Sequence, residues 1–134
     1  NLLIHKNKAL FLSTESLLYE DYPEQKFSGS LEIENIIYLS KHSSSKDISS
    51  LTVHPMGNFE TAVLGGQMGK LSLASPELMC DTLRRIREQY KGEKFSVTLE
   101  ATHHGPLSNV PGFFAEIGTT EKDWKDQDAL KAVS

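Results

Sequence analysis

The feature that most limits the possible folds is an unbroken apolar run, IIYL at 36–39, inside the segment IENIIYL at 33–39. A strand that is apolar at successive positions offers no polar face to solvent, so the run is typical of a strand buried on both faces in an α/β sheet. The polar stretch after it reaches the next apolar segment at Leu51, which is too short a connection for an ordinary helical crossover. We therefore predict an α/β fold with a mixed sheet flanked by few helices.

A helix is the next most clearly marked element. Ser75-Pro76-Glu77 combines an N-cap residue, a proline suited to the first helical position and an acid in the first turn. These signals predict a helix over 76–91 that ends before Gly92. An apolar stripe at helical spacing is expected to face the sheet, and it consists of Met79, Leu83, Ile86 and Tyr90.

Shorter apolar segments predict the remaining strands. The segment 95–101 alternates between apolar and polar residues, as a half-buried strand does. Further strands are predicted at 8–13, 17–19, 51–53 and 113–117, a loop at 22–30, and a polar tail with some helical character at 123–133.

Composition narrows the class of protein. At 134 residues the chain can bury one core, so we expect a single α/β domain over 1–134. No stretch approaches the ~18 consecutive apolar residues of a membrane span, and the lone Cys80 fits a reducing cytoplasm. A net charge of −4 excludes a general nucleic-acid coat, so an RNA partner needs a local basic patch. The stretch 84–94, with Arg84 and Arg87, is a candidate, although the solvent-facing side of a helix explains the same charges.

Residues suited to chemistry gather just after predicted strands. Four of the five histidines lie there, and EATHHGP at 100–106 places two of them after a carboxylate and before Gly-Pro. Because the ends of sheet strands line the usual ligand crevice of α/β folds, we expect His42, His54 and at least one of His103 and His104 to meet in one pocket with Glu116 or Glu100. Neutral imidazoles bind zinc, and an imidazole oriented by a carboxylate can instead act as a general base toward water. The residue types leave both chemistries open.

Structural explanations exist for each histidine. His54 precedes Pro55 and can simply end a strand, and His42 can be an exposed loop residue. Adjacent residues of a regular strand point to opposite faces, so at least one of His103 and His104 is expected to be packed rather than catalytic. We favour His104 as the catalytic one, because it lies nearest to the bend that Gly-Pro allows. The sequence has no His-Glu-x-x-His motif, nucleophile elbow or phosphate-binding loop.

Five sequence blocks, taken in order, resemble one known family. They are IIYLSKHSSS (36–45), LTVHPMGNF (51–59), GGQMGKLSLASPELM (65–79), LEATHHGP (99–106) and FFAEIGTTEKDW (113–124). Together they resemble the archaeal and plant type of D-aminoacyl-tRNA deacylase. The most specific part is THHGP followed by the EIG-T-EK-W pattern.

The resemblance implies an enzyme that hydrolyses the ester between a D-amino acid and the 3′ end of a tRNA. It also implies a fold similar to those of peptidyl-tRNA hydrolases and nucleoside phosphorylases, zinc as cofactor and tRNA as partner, with no membrane or DNA partner. The matching positions imply substrate contacts from Lys41, Ser43, Asn58, Gly65, Gly66 and Thr119, to which we add Arg84 and Arg87 of the basic stretch. Our hypothesis assigns zinc to His42, His54 and His104, and catalysis to His103, His104, Glu100 and Glu116. The motifs do not separate metal ligand from base.

A rival hypothesis comes from the length of the family's members. They usually begin with a further strand and continue past the position of Ser134, so we expect 1–134 to be the N-terminal part of a longer domain. This favours a non-catalytic homologue that binds a tRNA end or a small nucleoside, whereas the intact histidine cluster favours the enzyme. The oligomeric state is left open.

Overall fold

Six strands and three helices follow one another in the computed structural model, which describes residues 2–134. The strands are β1 (Leu2–His5), β2 (Lys8–Phe11), β3 (Ile36–Lys41), β4 (Ser50–His54), β5 (Ser96–Leu99) and β6 (Gly112–Gly118). The helices are α1 (Pro76–Gln89), α2 (Glu121–Trp124) and α3 (Gln127–Val133), and two 3₁₀ turns lie at Leu17–Tyr19 and Pro23–Phe27. Asn1 of the expected domain 1–134 lies outside the described residues.

Four of these strands form one mixed sheet in the order β3-β6-β4-β5. β6 is parallel to β3 and antiparallel to β4, and β4 is parallel to β5. The short connection after β3 leads to β4, which lies two places away and runs in the opposite direction. The predicted α/β fold with a mixed sheet is therefore confirmed.

β3 lies at the edge of the sheet, and the prediction of a strand buried on both faces is wrong. Tyr38 is buried on one face, but Ile37 and Leu39 on the other face are 43% and 48% exposed. An apolar run indicates which side chains favour burial. The order of strands in the sheet depends on pairing with strands that are distant in sequence. The run therefore could not distinguish an edge strand from a central one.

Alternation along the strands gives the sheet two different faces. One, the helix-covered face, contains Leu51, Val53 and Phe113 and packs against α1 and α3. The other, the polar face, contains His54 and Glu116 together with Thr52, Ser40, Tyr38 and Phe114. On the polar face Tyr38, Met56 and Phe114 form a smaller apolar cluster with Leu17 and Leu18.

Helix α1 confirms the strongest local signal, although it ends two residues before the predicted limit. Met79, Ile86 and Tyr90 are buried against the helix-covered face, and Leu83 is half-buried there. Ser75 occupies the N-cap position, but its hydroxyl donates to Oδ1 of Asn35 instead of capping the helix. This helix therefore has no side-chain capping bond at its N-terminus, and its stability comes mainly from the apolar stripe.

The N-terminal segment differs most from the prediction. The strand expected at 8–13 is shorter and pairs with the unpredicted β1 in an antiparallel hairpin separate from the main sheet. The strand expected at 17–19 is a 3₁₀ turn, and the loop expected at 22–30 contains a second one. Segments of three apolar residues have no period, so their structure depends on what they pack against.

The remaining predictions hold with shifted boundaries. The strands expected at 51–53 and 113–117 are each extended at both ends, and that at 95–101 is shortened to β5. The tail at 123–133 is largely helical. Between residues 2 and 134, no helix is both long and apolar enough to cross a membrane.

Candidate active site

Four histidines that are distant in sequence meet over the polar face of the sheet. The ring centroids of His54 and His103 are 4.5 Å apart, those of His54 and His104 are 4.8 Å apart, and those of His103 and His104 are 4.6 Å apart. His42 lies with its ring centroid 6.0 Å from that of His103. The pocket expected from the sequence is therefore present.

Glu116 is the point at which two of these histidines converge. Ser40 of β3 and Thr52 of β4 flank Glu116 in the sheet, and His42 and His54 follow them by two residues. Nδ1 of His42 and Nε2 of His54 lie 3.4 Å and 3.3 Å from the same oxygen, Oε2 of Glu116. Because β3 and β4 run in opposite directions, the two imidazoles meet through a shared sheet face, not through a shared strand end.

The His103–His104 pair reaches the same place from a segment that has left the sheet. Thr102 Oγ1 donates to the Gly57 carbonyl at 2.7 Å, and the Gly57 N–H donates to the His104 carbonyl at 2.7 Å. β5 ends at Leu99, so strand alternation no longer separates the two imidazoles and both line the cavity described below. His104 is buried, with 5% exposure, whereas His103 is exposed.

Three of the histidines are held in the same way through Nδ1. Each donates to a backbone carbonyl nearby in sequence: His54 to Pro55 at 2.8 Å, His103 to Ala101 at 2.9 Å and His104 to Gly105 at 2.7 Å. A carbonyl oxygen only accepts, so the hydrogen is on Nδ1 in each ring. The neutral ring then carries its lone pair on Nε2, as a metal ligand or a general base requires.

The donor set fits a metal ion such as zinc. Ligand atoms within 4.8 Å of one another are offered by three groups: His54, His103 and His104; His42, Glu100 and His103; and His54, Glu100 and Glu116. The expected trio of His42, His54 and His104 is therefore divided between groups. Oε2 of Glu100 and the hydroxyl of Thr52 are buried without a hydrogen-bond partner among residues 2–134. Nε2 of neutral His54 and Oε2 of Glu116 are both acceptors, so their contact needs a proton or a cation between them.

Burial and neighbouring groups set the protonation of two residues. Burial alone would raise the pKa of Glu116, but its contact with His54 and the nearby His104 lower that pKa below its usual value. The carboxyl group is therefore ionised at neutral pH. Burial lowers the pKa of His104, and His54 and His103 lower it further, against the opposing effects of the Gly105 carbonyl and Glu116. The neutral imidazole of His104 is therefore favoured.

A cavity of ≈ 830 Å³ opens beside the histidines and continues round the C-terminal end of β3. On the polar face it is lined by His42, His103, His104 and Glu116 together with Ser40, Leu17, Leu18 and Leu64. On the other side of the end of β3 it is lined by Leu39, Lys41, Ser43, Ile117, Trp124 and Leu130. The sequence reasoning missed the leucines, because short apolar segments carry no signal for a pocket. Trp124 ends the fifth family block and could have been chosen from it.

Several predicted substrate-binding residues hold chain segments together. Asn58 is buried and its amide donates to the Gly65 carbonyl at 3.0 Å. A Cβ on Gly65 would lie 1.6 Å from the Leu18 carbonyl oxygen, and one on Gly66 would lie 2.9 Å from the Asn58 amide nitrogen. Thr119 is buried outside the cavity lining, and its N–H donates to Asp123 at 2.7 Å.

The two predicted arginines do not reach this cavity. Arg84 and Arg87 are exposed on α1, which packs on the helix-covered face over β4 and β5. Arg84 lies 3.6 Å from the carboxylate of Asp81. The structure thus leaves the basic stretch on the side of the sheet opposite the histidines.

Comparisons with known proteins point to one family. A sequence model described as D-aminoacyl-tRNA deacylase matches residues 30–134. Curated relatives of that name are 52% identical over 101 residues in Thermoplasma volcanium (75% of this chain, 40% of the relative) and 38% identical over 122 residues in Archaeoglobus fulgidus (90% and 44%). The relative in Thermoplasma acidophilum is 50% identical over 99 residues, covering 73% of this chain and 39% of the relative.

A solved structure shares the fold. The crystal structure of a conserved protein of unknown function superposes with a TM-score of 0.84 and 35% identity, over 99% of this chain and 51% of that chain. The chain spans 39–44% of the length of the curated relatives named above. The family model and the identity of these relatives together show that the chain belongs to the D-aminoacyl-tRNA deacylase family.

Proposed function

We propose that the protein hydrolyses the ester bond between a D-amino acid and the 3′ end of a tRNA, and so returns a mischarged tRNA to use. The observation that carries this proposal is a cluster of four imidazoles and two carboxylates, of which three imidazoles and Glu116 line one cavity. Family membership supports the substrate class, since the relatives are named D-aminoacyl-tRNA deacylase. We place the activity in the cytoplasm, where tRNA is charged.

His104 is the general base in this proposal. Its Nδ1 is bound to the Gly105 carbonyl and its neutral form is favoured, so Nε2 can accept a proton from water. The water oxygen attacks the carbonyl carbon of the ester as that proton leaves. When the tetrahedral intermediate collapses, the bond to the ribose oxygen breaks and the imidazolium returns its proton to that oxygen. The products are the free D-amino acid and a tRNA with a free terminal hydroxyl.

Glu116 supports this proton transfer. It is an ionised carboxylate 3.4 Å from Nδ1 of His42 and 3.3 Å from Nε2 of His54, and it orients each ring when the facing nitrogen carries a proton or shares a cation with it. Its negative charge also stabilises the imidazolium that forms transiently in the cluster, because opposite charges interact strongly where water is scarce. His103, at the exposed side of the cluster, is placed to contact the ester as it enters.

The proposed cofactor is zinc, as the family resemblance implies. His54, Glu100 and Glu116 would hold it, and this group leaves Nε2 of His104 free to act as the base. A bound zinc ion would lower the pKa of a water ligand and polarise the ester carbonyl. Zinc content of the purified protein, measured by elemental analysis before and after dialysis against a chelator, tests this assignment.

The activity is tested by incubating the protein with D-tyrosyl-tRNA and with L-tyrosyl-tRNA and measuring the tyrosine released. We expect release from the D-ester only, and a loss of about 10²–10⁴-fold in His104→Ala, as is typical for removal of a general base. His5→Ala is the matched control, because His5 is exposed on β1 in the separate hairpin. Equal rates on both esters would contradict the assigned specificity.

A second candidate is a non-catalytic protein that binds the tRNA end. The observation that favours it is the part of the cavity away from the histidines, where Leu39, Lys41, Ile117 and Trp124 can hold a ligand without a reacting group. Binding of uncharged tRNA without release of tyrosine from either ester would support this candidate and contradict the deacylase.

A further inference from the structure

The cavity leads from the histidines, round the end of β3, to a lysine held against a tryptophan. Nζ of Lys41 lies 4.7 Å from the ring centroid of Trp124, and both residues line the cavity. The indole N–H of Trp124 donates to the His42 carbonyl at 3.0 Å. The tryptophan therefore holds two consecutive residues, one a cation and the other a member of the histidine cluster.

The ammonium group of Lys41 is available to a ligand. No carboxylate within residues 2–134 lies within salt-bridge distance of it, whereas Lys94 and Lys125 are each paired with acidic side chains. A cation over an aromatic face keeps its charge and its hydrogen-bond donors. Leu39, Ile117 and Leu130 supply an apolar lining in this part of the cavity, which strengthens the attraction between the ammonium and an anion.

The position of Lys41 relative to His42 determines which anion fits. Strand alternation turns Lys41 toward the helix-covered face and His42 toward the polar face, so a ligand that contacts both must bend round the end of β3. The unpaired 3′ end of a tRNA is flexible, and the nucleotide that carries the ester has a phosphate on its 5′ side. Its ester would reach the histidines while that phosphate lies outside them.

We propose that Lys41 binds a backbone phosphate of the unpaired 3′ end of the tRNA, and that Trp124 is a positioning residue that holds Lys41 and His42 for this contact. The inference rests on the proposed function, and it names the group that distinguishes tRNA from a small ester. It also moves the RNA contact from the arginines of α1 to the edge of β3.

The test compares two substrates, D-tyrosyl-tRNA and D-tyrosyl-adenosine, which carries the same ester without phosphates. Lys41→Met should lower kcat/KM for the tRNA by about tenfold, as expected for loss of a charged hydrogen bond, and leave the adenosine ester unchanged. The slope of log kcat/KM against log salt should become shallower by about 0.7, the value for one phosphate on a single strand. Lys122→Met is the matched control, because Lys122 is exposed on α2 outside the cavity lining.

Trp124 is tested in the same assay. Trp124→Leu should reproduce the effect of Lys41→Met on the tRNA, mainly through KM. Trp124→Phe, which keeps an aromatic face, should recover part of the loss. Thermal melting of each variant shows whether it remains folded, and the adenosine ester shows whether the histidine cluster remains intact. Equal values of kcat/KM for the tRNA in Trp124→Leu and Trp124→Phe would overturn the positioning role.

The outcomes separate this inference from the proposed function. Where the unsubstituted protein hydrolyses both esters, an equal loss on both in Lys41→Met, or no loss on either, overturns the inference and leaves the deacylase standing. Where it hydrolyses neither, the deacylase fails and binding of uncharged tRNA decides about Lys41. Weaker binding with a shallower salt slope in Lys41→Met then supports the phosphate contact, and unchanged binding overturns it.

Discussion

Replacing Gly65 by alanine tests whether this glycine packs two chain segments together. Gly65 has φ of +73°, and a Cβ there would lie 1.6 Å from the carbonyl oxygen of Leu18. Gly69 has a similar φ of +66°, but a Cβ there would meet nothing within 4 Å. Alanine therefore causes similar backbone strain at both positions, but only at position 65 does its Cβ clash with the backbone of Leu18.

The decrease in the free energy of unfolding expected for each variant follows from these two differences. An L-residue in the left-handed region costs about 1–2 kcal/mol, so Gly69→Ala should lower the free energy of unfolding by that amount. Gly65→Ala adds overpacking, which typically costs about 1–3 kcal/mol more, giving a total of about 2–5 kcal/mol. The obstacle is backbone, so no side-chain rotation relieves it and one segment must move. Leu18 and Leu64 line the cavity, so deacylation should also fall in Gly65→Ala and not in Gly69→Ala.

Equilibrium unfolding in urea measures the difference between the two variants. With an m value of about 1–3 kcal/mol/M, an extra 2 kcal/mol or so lowers the midpoint of Gly65→Ala by about 1 M relative to Gly69→Ala. Equal midpoints would refute the packing role. If Gly65→Ala keeps the wild-type urea midpoint but has a raised KM, Gly65 contacts the substrate, as the family resemblance implies.

Four further variants test the site, the core and the pH dependence of stability. His104→Ala should lower the free energy of unfolding by about 1–3 kcal/mol, because it leaves a buried carbonyl unpaired, whereas His103→Ala, at an exposed position, should keep the wild-type urea midpoint. Ile86→Ala should lower the free energy of unfolding by about 2–5 kcal/mol, because it leaves a cavity in the core. A decrease of less than about 1 kcal/mol would show that α1 does not pack on the sheet. Burial alone would raise the pKa of Asp123, but Lys94 and backbone N–H groups hold that pKa well below its usual value. The stability that Asp123 contributes is thus present at neutral pH and lost as pH falls below about 4, so Asp123→Asn should destabilise the protein at pH 7 and flatten its acid unfolding profile.

The sequence predicts the histidine cluster correctly, but the structure gives a different reason for it. His42 and His54 each follow a strand, and this position suggested a common crevice at the strand ends. In the structure their strands run in opposite directions, and the two imidazoles meet because Glu116 lies between them on the polar face. Alternation within a strand is local information, but strand order and direction depend on pairing between distant segments.

The cavity shows the same division between local and distant information. The motifs identified most of the polar residues that line it, because these residues also carry the family resemblance. The sequence predicts a strand at Leu17 and Leu18, but they form a 3₁₀ turn that packs on the polar face. Three apolar residues gain similar free energy in either form, so tertiary contacts made the choice.

The sequence by itself determined helix α1, the two-faced strands and the family, because caps, period and motif spacing are properties of neighbouring residues. Only the tertiary structure decided that β3 is an edge strand, that Gly65 packs against Leu18 and that Trp124 holds Lys41. Each of these features joins residues far apart in the chain. Their pairing follows from how the whole chain buries its apolar faces, and no short window of sequence contains that information.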